Sequence, residues 1–90
     1  MRRWTVEFDS RAARELRRID HQHRSRILRF LRERVAIAEN PRRIGSALTG
    51  QAIQLWRYRV GEYRLICTIE DERLVVLVVR VGHRRRIYDR

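Results

Sequence analysis

The chain has 90 residues, with 22 basic against 11 acidic side chains and a formal net charge of +11 at pH 7. A chain this short buries only roughly 60–65% of the surface its unfolded form exposes, which predicts one domain, residues 1–90, of marginal stability on its own. So strong a positive balance repels itself and favours polyanionic or acidic partners, nucleic acid first.

Every basic residue is arginine. The surface therefore carries planar, bidentate phosphate forks and no lysine able to act as a base. Cys67 is the only cysteine, set in an apolar run, and reads as a small core residue in a reducing compartment. No run approaches the ~20 apolar residues of a membrane span, and MRRWTVEFDS lacks the apolar stretch of a signal peptide. These features predict a soluble cytoplasmic protein with no membrane partner.

In chain order, alternation places Trp4, Val6 and Phe8 on one face and predicts a first strand over residues 2–8. Asp9 or Ser10 offers an N-cap. In residues 11–19, Ala12, Ala13, Leu16 and Ile19 form the stripe of a short amphipathic helix. After Asp20, Ile27, Leu28, Phe30, Leu31, Val35, Ile37 and Ala38 predict a longer core helix to about Ala38, ended by Asn40 and Pro41. Residues 41–52, PRRIGSALTGQA, hold two glycines and the only proline and read as a connecting loop.

From Ile53 the period changes to two. IQLWRYRV, YRLICTIE and RLVVLVVRV predict three consecutive antiparallel strands, separated by Gly61-Glu62 and by the acidic patch at Asp71 and Glu72. The expected fold class is α+β, two-layer, with the helical pair covering one face of a single twisted sheet.

A two-residue turn at Gly61-Glu62 sets Val60 opposite Tyr63, Tyr58 opposite Leu65 and Trp56 opposite Cys67 on a core face. On the other face Arg59 falls opposite Arg64, with Arg57 two residues along. Opposed like charges destabilise a sheet by roughly 0.2–1 kcal/mol per pair, so an anion site is the simplest reason to place three arginines there. Pairing Ile69 with Leu74 continues the register and puts Val75, Leu77, Val79, Val81 and His83 on the arginine face, with Arg84 on the other. Gly82 permits a bulge that would re-aim either side chain.

The terminal stretch VGHRRRIYDR then has two readings, since charged termini are ordinarily solvated. His21 and His23, two residues apart, lack further ligands at metal-binding spacing, and the acidic patch at 70–72 reads as a solvated turn. No glycine-rich phosphate loop is present. The residues predict no metal and no cofactor.

The pattern WRYRVGEYRLICTIEDERLVVLVVRVGHRRRIY, residues 56–88, resembles the RelE branch of the RelE/ParE toxin superfamily, the toxins of bacterial type II toxin-antitoxin pairs. Its specific parts are the R-x-R-V-G-x-Y-R hairpin and the terminal G-H-R-R-x-I-Y. The resemblance implies a ribosome-dependent endoribonuclease that cuts messenger RNA in the A site, and a cognate antitoxin with an acidic or amphipathic segment as partner. It implies RNA contact or proton transfer for Arg57 and Arg59, transition-state stabilisation for Arg64, leaving-group assistance for Arg84, and nucleotide stacking for Tyr88.

One departure concerns the base. The best-known member carries lysines where this chain has Arg57 and Arg59, and an arginine, with a pKa above ~12, is unsuited to accept a proton. His83 and Tyr88 are the available alternatives, with Arg85 and Arg86 as RNA-backbone contacts. Two further readings stay open at this stage: the ParE branch, of the same fold, which inhibits DNA gyrase, and a non-catalytic RNA-binding module.

Overall fold

The computed structural model describes residues 3–50 and 54–87. Five strands form one mixed sheet in the order β1-β5-β4-β3-β2, where β1 is Thr5–Phe8, β2 Ser46–Leu48, β3 Leu55–Val60, β4 Tyr63–Glu70 and β5 Val75–His83. Strand β1 pairs parallel with β5, and the other neighbours are antiparallel. Two helices, α1 (Ser10–Arg17) and α2 (His21–Phe30), lie between β1 and β2 in the chain. This is the expected α+β arrangement. It adds the short edge strand β2, which falls inside the segment read as loop, and a 3₁₀ turn at Pro41–Arg43.

Each helix starts where a side chain can accept an orphan backbone N–H. Asp9 accepts from Ala12 N at 2.8 Å, and Asp20 accepts from His23 N at 3.3 Å. Ala12, Leu16, Ile27, Leu31 and Val35 turn inward against Tyr58, Leu65, Cys67, Val76 and Val78, forming the core between the helices and one sheet face. Leu28 and Ile37, expected in that core, are instead 38% and 48% exposed. Leu28 lies in the regular part of α2, beside the buried Ile27, whereas Ile37 follows a π-helical turn at Leu31–Val35, closed by Ala36 N donating to Leu31 O, after which the regular helix does not resume.

Glu15 of α1 serves the sheet directly. Strand β1 pairs with β5 only as far as Val78, and beyond it Glu15 accepts from Val81 N at 2.8 Å and from Arg80 Nε at 3.1 Å. A carboxylate thus covers the strand edge that β1 leaves open. At the opposite side Arg42 grips Asp71 through two 2.9 Å bonds, tying the 3₁₀ turn to the β4–β5 turn.

The β3–β4 register is as the sequence predicts: Trp56↔Cys67, Tyr58↔Leu65, Arg59↔Arg64 and Val60↔Tyr63. Gly61, at φ +60°, takes the first turn position, the type II′ requirement. The β4–β5 register differs. Pairing starts at Glu70↔Val75 because Leu74 adopts φ +53° and closes a turn onto Asp71 O, so Ile69 meets Val76 rather than Leu74. That slip of two residues leaves the faces unchanged, but a bulge at Val79 inverts them: Cys67 pairs with Val78, whereas Ile66 pairs with Arg80. Val81 therefore faces the core, Gly82 lies opposite Arg64, and His83 lies opposite Tyr63.

Candidate functional site

Three features converge at one end of the sheet: the β3–β4 turn, the last residues of β5, and the tail that follows. Arg59 and Arg64 are directly opposite in the ladder, and Arg57 lies two residues from Arg59, opposite Ile66 on one side and Ser46 on the other. Among the described residues no carboxylate is their ladder partner. Arg57 donates to Ser46 Oγ at 3.1 Å, and Arg64 folds over the turn to donate to Gly61 O and Tyr63 O. These bonds hold two guanidiniums in place before any ligand arrives. Arg59 is exposed.

Residues 84–87 of the tail are held by backbone hydrogen bonds. Arg84 N donates to Glu62 O at 2.8 Å, and Arg86 N and Ile87 N both donate to His83 O. Ile87 is 2% exposed and occupies the space a side chain at Gly82 would fill, its Cδ1 lying 3.1 Å from an ideal Cβ there. Ile87 thus packs closely over Gly82, and Arg84, Arg85 and Arg86 form an exposed loop pinned at both ends. Arg84 Nε meets Glu62 Oε1 at 2.8 Å, an exposed pair worth ~1 kcal/mol or less. Tyr88 lies outside the described residues.

His83 is not on the arginine face, contrary to the expectation from strict alternation. The bulge at Val79 turns it to the helix side, where its ring meets Tyr63 edge-on at 5.8 Å and lines an open groove of about 530 Å³ with Arg18, Arg80, Arg86 and Ile87. Its Nδ1 accepts from Arg85 N at 3.2 Å, and its Nε2 lies 4.0 Å from Glu62 Oε1. A neutral ring held this way carries its proton on Nε2 and directs an N–H, not a lone pair, outward.

Two participants were not singled out from sequence for this site. His23, weighed earlier only as a metal ligand, sits 5.3 Å from the Tyr63 ring on its own, with Nδ1 2.6 Å from Asp20 Oδ1. Hydrogen bonding to His23 is the main influence that holds the Asp20 carboxyl below its ordinary value. Glu62 is the other, joining the turn to the tail. Neither could have been found from helical or strand periodicity, since both contacts cross between elements. Among the described residues no group of three or more His, Cys, Asp and Glu side chains is gathered as a metal site.

Tyr58 and Cys67 are core groups. The Tyr58 hydroxyl donates to Pro41 O at 2.8 Å, and burial, assisted by Cys67, pushes its pKa well up. Burial alone pushes the Cys67 thiol up as well, away from nucleophilic use. No helix among the described residues is long and apolar enough to cross a membrane.

Comparison with known proteins gives the lineage. A family model described as the ParE toxin of the type II toxin-antitoxin system parDE matches residues 6–88. The toxin RelG of Mycobacterium tuberculosis is 31% identical over 87 residues, which is 97% of this chain and 98% of RelG. The mRNA interferase toxin RelE of Escherichia coli is 33% identical over 82 residues, covering 90% of this chain and 83% of RelE. Among solved structures, the M. tuberculosis toxin-antitoxin complex RelBE2 aligns at a TM-score of 0.82 and 29% identity, over 92% of this chain and 93% of that one. The intact E. coli RelBE complex aligns at 0.70 and 26%, over 89% and 95%. The chain therefore belongs to the RelE/ParE superfamily and is a toxin of the type II toxin-antitoxin class.

Proposed function

We propose that this toxin is an endoribonuclease that cuts messenger RNA in the ribosomal A site, and that a cognate antitoxin holds it inactive. The observation that carries the reading is the opposed pair Arg59–Arg64, with Arg57 beside it on the same face. A like-charged pair that costs stability has a use where an anion settles between its members. The identity shared with an mRNA interferase toxin supports RNA as that anion.

RNA brings its own nucleophile. The 2′-oxygen attacks the adjacent phosphorus, the bond from phosphorus to the 5′-oxygen breaks, and a 2′,3′-cyclic phosphate remains. The same hydroxyl restricts the reaction to RNA. The protein orients the ribose in line, offsets charge on the pentacoordinate phosphorus, and moves two protons. Arg57, Arg59 and Arg64 bind the phosphate, and Arg64, held by two backbone carbonyls, stabilises the transition state. Arg84 assists departure of the 5′-oxygen, with Arg85 and Arg86 on the flanking backbone.

His83 and Tyr88 share the proton transfers. In the orientation described, His83 presents Nε2–H and suits donation or substrate orientation, which supports Tyr88 over His83 as the acceptor in our reading. Single-turnover cleavage of ribosome-bound messenger RNA tests this. Tyr88→Phe loses more activity than His83→Gln, and full activity in both refutes a catalytic tail.

The match to a ParE family model favours one second reading, inhibition of DNA gyrase on the same fold. Mapping RNA ends with and without programmed ribosomes, beside a DNA supercoiling assay, separates the two. For the antitoxin, the net charge of +11 favours an acidic segment, and the two similar structures described above are toxin-antitoxin complexes.

A further inference from the structure

Strand β2 pairs with β3 only through Leu55–Arg57, so among the described residues no strand lies beside the edge of β3 from Tyr58 to Val60. Alongside that edge runs α2 with its π-helical turn, and between them lies an open groove of about 340 Å³. Its walls carry Arg26, Arg29, Arg34 and Arg59, against one carboxylate, Glu33. Glu33 pairs with Arg32 at 3.8 Å, and Arg34 lies over the Phe30 ring at 5.8 Å. Among the described residues Arg26, Arg29 and Arg59 make no ion pair. The Arg26 guanidinium reaches the β3–β4 turn so closely that a side chain at Gly61 would stand 2.9 Å from its Nη1.

Four guanidiniums around one groove repel one another, and their approach costs less once an anion lies between them. The geometry suits phosphate in particular. Each fork donates two parallel bonds to an oxyanion, and the volume falls within the range of about 300–1,000 Å³ found for ligand pockets. An acidic amphipathic segment is less well matched, because Phe30 and Val60 are the only large apolar side chains on these walls. Arg59 lines this groove and also stands opposite Arg64. The proposed cleavage site and the groove thus share Arg59.

We propose that this groove between α2 and the open edge of β3 is a second RNA subsite, which holds a backbone phosphate outside the linkage that is cut. The proposal rests on the endoribonuclease reading and adds to it a binding register along the RNA. The probe is a fully 2′-O-methylated oligoribonucleotide, which binds but has no free nucleophile, titrated with antitoxin-free toxin across a range of NaCl concentrations. The double variant Arg26→Gln/Arg29→Gln is compared with Arg14→Gln/Arg17→Gln, which removes the same charge from the exposed side of α1.

The groove variant is expected to lower the slope of log K against log salt by about 0.7 for each phosphate released, and the α1 variant to leave it unchanged. Cleavage at saturating RNA stays at the wild-type rate in the groove variant, because Arg59 and Arg64 remain. Equal slopes in the two variants overturn the subsite and leave the nuclease reading standing. An unchanged RNA slope with weakened binding to the antitoxin overturns it too, by assigning the groove to an acidic protein segment. Wild-type toxin that binds the probe with the expected slopes but cuts no messenger RNA supports the subsite and overturns the nuclease reading.

Discussion

The Arg59–Arg64 pair makes a prediction in which stability and function move in opposite directions. Arg59 is exposed, and its ladder partner is another arginine. Arg59→Thr removes the repulsion and introduces a residue of higher strand propensity, for a gain of about 0.2–1 kcal/mol. For a domain of this size 1 kcal/mol moves Tm by about 4–8 °C, so the variant should melt about 1–8 °C higher at low ionic strength. The gain must be electrostatic to support the reasoning. It should fall away near 1 M NaCl, where the screening length is about 3 Å, and what remains is the propensity contribution. The assay is thermal unfolding by circular dichroism at 20 mM and 1 M salt, with RNA affinity measured in parallel. An Arg59→Thr protein that melts lower than wild type, or whose gain is independent of salt, refutes the claim that this pair is strained. Unaltered RNA affinity refutes the claim that an anion relieves the strain.

Further outcomes follow from other contacts. Gly45→Ala should lower stability by at least about 1 kcal/mol in urea unfolding, because Gly45 holds φ +90° and a Cβ there would stand 2.3 Å from Arg57 O. Ile87→Ala should lower stability by about 2 kcal/mol or more and reduce cleavage by releasing the tail from Gly82, read by denaturation and by single-turnover kinetics. Cys67 should resist alkylation at pH 8 in the native protein and react at once in denaturant, since its thiol is buried and its pKa raised. Asp20→Ala should destabilise at neutral pH and cease to do so in acid. The folded pKa of Asp20 lies below its ordinary 3.8, so its contribution is present above that value and is lost as pH falls through the lowered one. A Tm difference between the two proteins that does not shrink with acidification refutes that assignment.

How much was legible in the sequence depends on how each contact is specified. The β3–β4 register was legible because a two-residue turn at Gly61 fixes every pairing behind it, and with it the opposition of Arg59 and Arg64. The core helix was legible up to the π-helical turn, which apolar periodicity alone does not announce. The parallel pairing of β1 with β5 joins distant parts of the chain and leaves no local mark. The bulge at Val79 was hidden for a different reason. Residues Leu74–Val79 are apolar on both faces, and both faces are covered, with Val75 at 5% and Val78 at 0% exposure, so the alternation does not show where an extra residue enters.

That one residue decides the layout of the candidate site. With a straight β5 an imidazole would stand beside the arginine cluster, and one face would hold both charge and a titratable group. With the bulge, glycine lies opposite Arg64, His83 passes to the helix side beside Tyr63, and the imidazole is parted from the arginine face. Guanidiniums stay protonated throughout the physiological range and do not take the proton of a 2′-hydroxyl. Phosphate binding and proton transfer are therefore tasks for different parts of this end of the sheet, and the buried seat of Ile87 against Gly82 anchors the loop that carries Arg84, Arg85 and Arg86.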